Sequence, residues 1–201
     1  ELVSRIEAAT RDSDEMQARV DALAAEVAAA EAAALTRTAA GREAAQRLAV
    51  QKAAAQYTPV QGPGAEVLVD DSRDAGKDPD ATDVGRVLDR DLQLVVDGLW
   101  QAGAEAVTVN GIRLSSRTAI RSAGGAILVD YRPLNPPYRV LAIGDPQALV
   151  TGFTDGPAGR ALAELRDTYG LRFTVSSKET IDMAAATSAL PTVAKPLGGA
   201  S

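Results

Sequence analysis

The sequence predicts an α+β fold in which helices cover one face of a largely antiparallel sheet, preceded by a long N-terminal helix. Residues 1–57 contain no proline and a single glycine, as expected of one long helix. Beyond them, short apolar runs of strand length are interspersed with amphipathic helical stretches. The middle runs follow one another too closely for the crossovers that parallel strands need, so these strands are predicted to be antiparallel.

The first half of the N-terminal helix carries apolar or small residues at alternating spacings of four and three. This spacing predicts a coiled-coil seam of more than four heptads. We expect a homodimer through this coil, and we expect it to be weak because alanine side chains bury little area. The alternative is a single helix packed against its own domain. The seam residues are Leu2, Ile6, Ala9, Ser13, Met16, Val20, Leu23, Val27, Ala30 and Ala34.

Residues 58–64 (TPVQGPG) contain two prolines and two glycines, which predicts a hinge into a globular domain over 65–182. The first predicted strand is 66–70. An acidic loop follows over 71–82, and it fails as a calcium site because an EF-hand count from Asp78 places Asp83 where glycine is needed and lacks the terminal glutamate. Residues 183–201 are predicted to be a loosely ordered tail.

The remaining elements are predicted from turn and capping signals. Asn110-Gly111 favours a two-residue type I′ hairpin, a further hairpin is predicted across Gly124-Gly125, and Asp145-Pro146 favours a helix start. Together the elements indicate a two-layer, ferredoxin-like plait with an inserted β-ribbon. The predicted helices are 84–102, with Asp83 as N-cap, one starting at Asp145-Pro146, and 157–169, ended by Gly170. The further strands are 106–109, 112–114, 118–121, 126–131, 138–144 and 172–176.

Charge is unevenly divided along this domain. Residues 58–103 carry 10 acids against 4 bases, whereas residues 104–145 carry 5 arginines against 3 acids. We expect the ribbon to present a partner or ligand surface formed by long donors around a fixed turn. The alternative is that the arginines pair internally with Glu105, Asp130 and the acidic loop. The candidate surface residues are Asn110, Arg113, Arg117, Thr118 and Arg121.

Composition excludes several kinds of chemistry. The chain of 201 residues has no His and no Cys, which removes the Ser-His-Asp triad, thiolate nucleophiles and the common zinc sites. We therefore expect no enzyme activity, no metal and no cofactor. Nucleic acid is an unsuitable partner, because the sequence pI is about 4.8 and 3% of residues are aromatic.

The globular part resembles a bacterial membrane-protein family described as domain of unknown function 881 (UPF0749), found in actinobacteria and other Gram-positive bacteria. The resemblance spans roughly residues 58–175. Asp97 departs from it, since the family more often has Asn there. The motifs that carry it are Gly62-Pro63-Gly64, Asp91-Leu92, Gly98-Leu99-Trp100, Gly103-Ala104-Glu105-Ala106, Asn110-Gly111-Ile112-Arg113, Thr118-Ala119-Ile120-Arg121, Pro137-Tyr138 and Ala142-Ile143-Gly144-Asp145.

The resemblance implies a single-pass membrane protein with an anchor upstream of Glu1, followed by a coil and an extracytoplasmic domain. It also implies a link to cell division or envelope growth. The function expected from it is a non-enzymatic structural or interaction module that contacts another envelope or division protein. The alternative is a domain that senses a small anionic ligand, with Asn110, Arg113, Thr118 and Arg121 forming the pocket.

Overall fold

The computed structural model describes residues 39–77 and 84–187, together with residues 15–16, 18–20, 22–23, 26–27, 29–30 and 33. The chain divides into two compact units, Glu1–Ala54 and Ala55–Ser201. Residues 78–83 and 188–201 lie outside the described residues. They include the second half of the predicted acidic loop from Asp78 onward, the predicted N-cap Asp83 and the end of the predicted tail.

The N-terminal unit is helical wherever it is described. Helix α1 spans Ala39–Ala54, and the described residues between 15 and 33 also have helical backbone. Leu2, Ile6, Ala9, Ser13 and Ala34 of the predicted seam lie outside the described residues, so the coiled coil stays a prediction. Four described seam residues are 54–64% exposed, namely Met16, Val20, Leu23 and Val27.

In the described part of the chain, eight strands form two antiparallel sheets. Five strands make the main sheet in the order β3-β2-β7-β1-β8, and three make a small sheet in the order β4-β5-β6. The predicted α+β class with antiparallel pairing is therefore confirmed. The strands are β1 (Val60–Asp70), β2 (Ala106–Val109), β3 (Ile112–Arg113), β4 (Ile120–Ala123), β5 (Ala126–Val129), β6 (Arg132–Leu134), β7 (Tyr138–Ile143) and β8 (Arg172–Met183).

Three helices belong to the second unit: α2 (Asp89–Gln101), α3 (Pro146–Asp155) and α4 (Pro157–Tyr169). Helix α3 begins as predicted, because the Asp145 carboxylate accepts a hydrogen bond from the Ala148 N–H at 2.7 Å. Helix α4 also ends as predicted, with Gly170 in the left-handed conformation at φ 74°.

Helix α2 begins five residues later than the sequence predicts. Gly85 has a left-handed backbone with φ 75°, which a helix does not accommodate. The Val87 N–H then donates to the Asp71 carboxylate at 2.8 Å, outside the helix. The first turn is closed when the Asp91 carboxylate accepts the Leu88 N–H at 2.8 Å. The predicted start at Val84 is thus wrong, since the apolar stripe extends beyond the helical backbone.

One face of the main sheet packs against the three helices and forms the core. Val67 of β1 lies opposite Val140 of β7 and Val175 of β8, so apolar side chains line up across the strands. From the helices, Leu92 and Phe153 are fully buried in the same core. Burying each such side chain stabilises the fold by roughly 1.5–3 kcal/mol.

Gly62-Pro63-Gly64 lies inside β1, so the predicted hinge over 58–64 is wrong for most of its length. A β-bulge changes the register with β8 at this point. A Cβ on Gly64 would lie 1.9 Å from the Ala142 carbonyl oxygen, so glycine is needed here for the close approach of β7. Both glycines that suggested flexibility therefore lie in hydrogen-bonded structure.

Beyond the bulge, the start of β1 and the end of β8 stay paired and cover part of the second sheet face. Ile181 and Met183 are buried there against Ala106 and Ile143. The predicted end of the last strand at Ser176 is therefore too early.

The predicted tail is ordered where it is described. Ala186 is buried, and its N–H donates to the Gln56 carbonyl at 2.9 Å.

Candidate functional site

The small sheet has one face in the core and one face toward solvent. Ile127 and Val129 of β5 are buried, and Ile120 and Leu134 from the flanking strands pack against the same core. Because successive strand residues face opposite sides, the residues between them form an outer face. On that face Arg121 lies opposite Leu128, which lies opposite Pro133.

We call this face, with the adjacent turn, the outer sheet surface. Its residues come from three neighbouring strands and the adjacent turn, most of them are small or apolar, and all of them are partly or fully exposed. Pro133 lies on an edge strand, where a missing N–H is tolerated. The outer sheet surface consists of Arg121, Ala123, Ala126, Leu128, Tyr131 and Pro133.

Arg121 and Tyr131 form the most exposed part of this surface. The Arg121 guanidinium carbon lies 4.5 Å from the centroid of the Tyr131 ring, a cation–π contact. Tyr131 is nevertheless 74% exposed, because its ring faces solvent on the other side. Arginine and tyrosine are the residue types that most often dominate binding energy at protein interfaces. The pair is therefore suited to contact another protein.

A tight turn sets the position of Tyr131. Asp130 and Tyr131 link β5 to β6, and both have left-handed backbones, with φ 49° and 65°. This is the geometry of a two-residue type I′ hairpin, which usually contains Asn or Gly. A tyrosine in this conformation is uncommon, and the sequence gives no signal for it.

The open face of the main sheet differs from the outer sheet surface because its charges are internally paired. Glu66 lies 3.4 Å from both Arg139 and Lys178. Asp70 pairs with Arg172 at 2.5 Å. These carboxylates and cations satisfy one another, which leaves fewer groups for a partner than the predicted charge imbalance suggested.

Asn110 forms part of a turn. Asn110 and Gly111 have φ of 46° and 80°, which confirms the predicted type I′ hairpin. The Asn110 side-chain oxygen accepts the Arg139 N–H at 2.7 Å, and its amide donates to the Asn135 carbonyl at 3.5 Å. Its side chain is thus used to attach the hairpin to the start of β7.

Arg117 and Thr118 belong to a second turn. The Thr118 hydroxyl accepts the Ser115 N–H at 3.0 Å and lies 3.2 Å from the Ser115 hydroxyl. Arg117 is exposed on the same turn, and its N–H donates to the Ser115 hydroxyl at 3.3 Å. Thr118 is therefore occupied in shaping the turn.

Arg113 is buried, with 4% of its surface exposed, contrary to the expectation that it lies on a surface. Its Nε donates to the Gln56 side-chain oxygen at 3.0 Å, and Nη2 donates to the same atom. Nη1 donates to the Ala184 carbonyl at 3.3 Å. Burial lowers the pKa of this guanidinium below its ordinary value. Neither the predicted exposed site nor the predicted pairing with acids describes it.

The five predicted residues therefore do not converge on one concave surface. Arg121 alone lies on the outer sheet surface, while Asn110, Thr118 and Arg113 are bonded internally at separate places. Sequence reasoning missed Tyr131 and the buried Thr108, whose hydroxyl has no hydrogen-bond partner among the described residues. The Asn110-Gly111 hairpin sets the strand register, so it would have predicted that Thr108 lies opposite Arg113. It would not have predicted that Thr108 is buried.

Two grooves lie elsewhere on the second unit. The larger, about 600 Å³, lies between the start of α3 and β8. The smaller, about 470 Å³, lies between α2 and α4 and includes Asp91. Burial raises the pKa of Asp91, and hydrogen bonding from Leu88 opposes this effect. Neither groove includes any of the five predicted residues.

Two further observations concern the ionisable groups of the described residues. No three metal-binding side chains lie together among the residues that the structure describes. Tyr138 is buried, and burial followed by the nearby Asp71 charge raises its pKa to about 12. Its phenol therefore stays protonated at neutral pH and serves as a core aromatic.

These features define an α+β domain with an exposed outer sheet surface on an accessory small sheet. Residues 47–195 match the family described as "Bacterial protein of unknown function (DUF881)". The chain belongs to this family, as the resemblance of its motifs indicated.

Curated relatives carry the same family description. A UPF0749 protein of Mycobacterium tuberculosis (strain H37Rv) is 42% identical over 127 residues, covering 59% of this chain and 40% of that protein. The UPF0749 protein YlxW of Bacillus subtilis (strain 168) is 37% identical over 93 residues, covering 45% of this chain and 39% of that protein. This chain thus spans about 40% of the length of these relatives.

A solved structure has a similar fold. The crystal structure of an uncharacterized conserved protein from Mycobacterium tuberculosis superposes with a TM-score of 0.57 and 26% identity. The match covers 75% of this chain and 99% of that one. Among the residues described for this chain, no helix is both long and apolar enough to cross a membrane.

Proposed function

We propose that this chain is a non-enzymatic interaction domain of a membrane-anchored envelope protein and that it contacts its partner through the outer sheet surface. The observation that carries the proposal is the exposed Arg121–Tyr131 pair on a sheet of small and apolar residues. An aromatic ring with an adjacent cation supplies large contact area with little loss of side-chain freedom. The partner is expected to be another envelope or division protein with a carboxylate positioned for Arg121.

We also propose that the domain that presents this surface is a ferredoxin-like plait. The strands β1, β2, β7 and β8 are separated by α2 in the first half and by α3 and α4 in the second. Their order in the main sheet, β8-β1-β7-β2, and the antiparallel pairing of all neighbours support this assignment. The small sheet enters between β3 and β7, as an addition that the plait itself does not require.

We further propose that the N-terminal unit makes the protein a homodimer. The seam residues Met16, Val20, Leu23 and Val27 have helical spacing and are more than half exposed in the single chain. A coil partner would cover all four side chains. Dimerisation would double the number of outer sheet surfaces, which strengthens binding to a partner present in several copies.

Location outside the cytoplasm, behind a single membrane anchor, is also part of the proposal. It rests on the family resemblance, and the greater length of the relatives leaves room for such a segment. A reporter fused after residue 201 in the native gene is expected to be active only outside the cytoplasm. Activity inside the cell alone would contradict this location.

The non-enzymatic part of the proposal rests on composition and on the use of the polar side chains. The sequence has neither His nor Cys. The anion-sensing pocket of Asn110, Arg113, Thr118 and Arg121 is not assembled, because three of the four bond to separate neighbours. The interaction role is therefore the better supported of the two.

Site-specific photocrosslinking tests the proposed surface. A photoreactive phenylalanine analogue at Tyr131 is expected to capture a defined partner in intact cells, whereas the same analogue at Tyr169 is not. Tyr169 is a matched control because it is also exposed, at 48%, but lies on α4. Arg121→Ala should reduce the Tyr131 crosslink, and Arg166→Ala should not. Equal crosslinking from both tyrosines would contradict the proposed surface.

A further inference from the structure

A buried cation in this protein lacks a carboxylate counter-ion among the described residues. Arg113 is 4% exposed, and its partners there are the Gln56 amide oxygen and the Ala184 carbonyl. Both partners are uncharged. Buried charges in proteins are as a rule paired with an opposite charge, because desolvation of a lone ion is strongly unfavourable. The partial negative charges of the two carbonyl oxygens offset only part of the desolvation cost of the Arg113 guanidinium.

An unused donor lies directly across the hairpin from this arginine. Thr108 of β2 is the register partner of Arg113 in β3, so the two side chains share one sheet face. Thr108 is 2% exposed, and its hydroxyl has no hydrogen-bond partner among the described residues. A buried hydroxyl without a hydrogen-bond partner is uncommon in proteins and calls for an explanation.

The arginine also has donors to spare. A guanidinium carries five N–H groups in a planar fork. Three of them are used in the bonds from Nε, Nη1 and Nη2 described above. The second hydrogens of Nη1 and Nη2 have no acceptor among the described residues.

We propose that Arg113 and Thr108 together form a buried binding site for a carboxylate group. A carboxylate supplies the missing negative charge, and its two oxygens match the spare guanidinium N–H groups and the threonine hydroxyl. Deep burial of both side chains restricts the ligand to a small group. Water would satisfy the hydroxyl but would not neutralise the cation. This site differs from the outer sheet surface, and its test is independent of the interaction proposed there.

The first test is thermal unfolding of the full chain in sodium acetate, sodium formate and sodium chloride at equal ionic strength. The carboxylates are expected to raise the melting temperature above the value in chloride, with a saturable dependence on concentration. The NMR signal of the Arg113 Nε–H should shift along the same saturation curve. Identical melting temperatures in acetate and chloride, with no shift of the Arg113 signal, would overturn the proposal.

A pair of matched variants tests the role of Thr108. Thr108→Val removes the orphan hydroxyl and is expected to weaken acetate binding at least several-fold. Thr118→Val removes a hydroxyl that already accepts the Ser115 N–H, and it should leave acetate binding unchanged. If Thr108→Val instead raises the melting temperature equally in both salts, the hydroxyl is simply unsatisfied and the site does not exist. Should Thr108→Val fail to fold, Thr108→Ser retains the hydroxyl and is expected to retain acetate binding, whereas Thr108→Ala is expected to lose it.

The source of the carboxylate is resolved by ligand size. N-acetyl-glutamate amide mimics an acidic side chain of another polypeptide, and acetate mimics a free metabolite. Saturable stabilisation by both indicates that an acidic side chain can enter the site, and stabilisation by acetate and formate alone indicates a free anion. Either result supports a carboxylate site, whereas stabilisation by neither overturns it.

Discussion

Arg113 of β3 and Arg121 of β4 lie eight positions apart in the chain but belong to different sheets, and each makes different contacts. Arg113 is held under the ends of β1 and β8 by Gln56 and Ala184. Arg121 lies in solvent over the Tyr131 ring. Loss of a buried hydrogen-bonded cation leaves unsatisfied acceptors and a cavity, whereas loss of an exposed cation–π contact does not.

This difference predicts the stability of two alanine variants. Arg113→Ala is expected to lower the free energy of unfolding by about 2–3 kcal/mol, because the Gln56 and Ala184 oxygens lose their donors. Arg121→Ala should stay within about 1 kcal/mol of the parent. Urea unfolding followed by circular dichroism measures both. If both variants lose the same free energy of unfolding, the buried hydrogen bonds of Arg113 do not stabilise the fold.

A second residue-scale prediction concerns pH. Burial raises the folded-state pKa of Asp91 above its ordinary value of 3.8, so the charged carboxylate is disfavoured in the fold. Protonated Asp91 therefore stabilises the fold fully below pH 3.8, the ordinary pKa of the group. This stabilisation is lost as the pH rises through the raised pKa of the folded state.

Asp91→Asn removes this titration and keeps an oxygen to accept the Leu88 N–H. Its stability relative to the parent should therefore increase as pH rises through that window and then level off. Urea unfolding at a series of pH values measures the difference. Asp97→Asn, on the exposed side of the same helix, controls for the loss of one negative charge. Parallel curves for the parent and Asp91→Asn would contradict the prediction.

The environment of individual arginines was beyond what the sequence could predict, for a physical reason. Gln56 and Ala184 lie 57 and 71 positions from Arg113, so its burial depends on how distant segments fold together. Local pattern does not distinguish Ile112-Arg113 from Ile120-Arg121. The sequence did indicate that arginines are concentrated over 104–145. The structure shows that Arg113 is buried and hydrogen-bonded, whereas Arg121 is exposed and contacts the Tyr131 ring.

Among elements, the turns that depend on local chemistry were predicted best. Asn110-Gly111 and Gly124-Gly125 both have left-handed backbones and both make hairpins where the sequence predicts them, the first with the predicted two-residue turn. Errors came where tertiary contacts decide the conformation. Gly62 and Gly64 suggested a hinge, but both lie within β1, and Gly64 is needed because the β7 backbone passes close to it.

The close approach at Gly64 predicts a severe effect of one methyl group. Gly64→Ala would place its Cβ against the backbone of Ala142 and is expected to lower stability by about 3 kcal/mol or more, since strand backbones cannot move easily. Gly124→Ala is the control, because no atom lies within 4 Å but φ is 59°. It should lose about 1–2 kcal/mol through backbone strain alone. Thermal unfolding of both variants measures this, and a Gly64→Ala protein as stable as Gly124→Ala would refute the close-packing argument.

The first unit has large apolar residues that are exposed where it is described, whereas the second unit has its own core. In the second unit, Leu92 and Phe153 are fully buried. In the first, Val20 and Leu23 are 58% and 54% exposed. Sequence periodicity predicted both kinds of surface, because the 4-3 pattern and the amphipathic stripes are local properties. It does not predict what covers the exposed stripe, since that depends on a second molecule or on segments distant in sequence.

The last prediction concerns self-association. Light scattering on the full chain is expected to show a dimer, and a chain that starts at Ala55 should be a folded monomer. A chain that starts at Pro59 would lack Gln56 as well, which would leave Arg113 without its amide partner. Val20→Glu combined with Leu23→Glu should also produce a monomer, since both charges enter the predicted seam. Charged residues at two non-seam positions, Arg19→Glu and Ala22→Glu, should preserve the dimer. Monomers for the full chain at high concentration would show that these exposed side chains do not form a dimer seam.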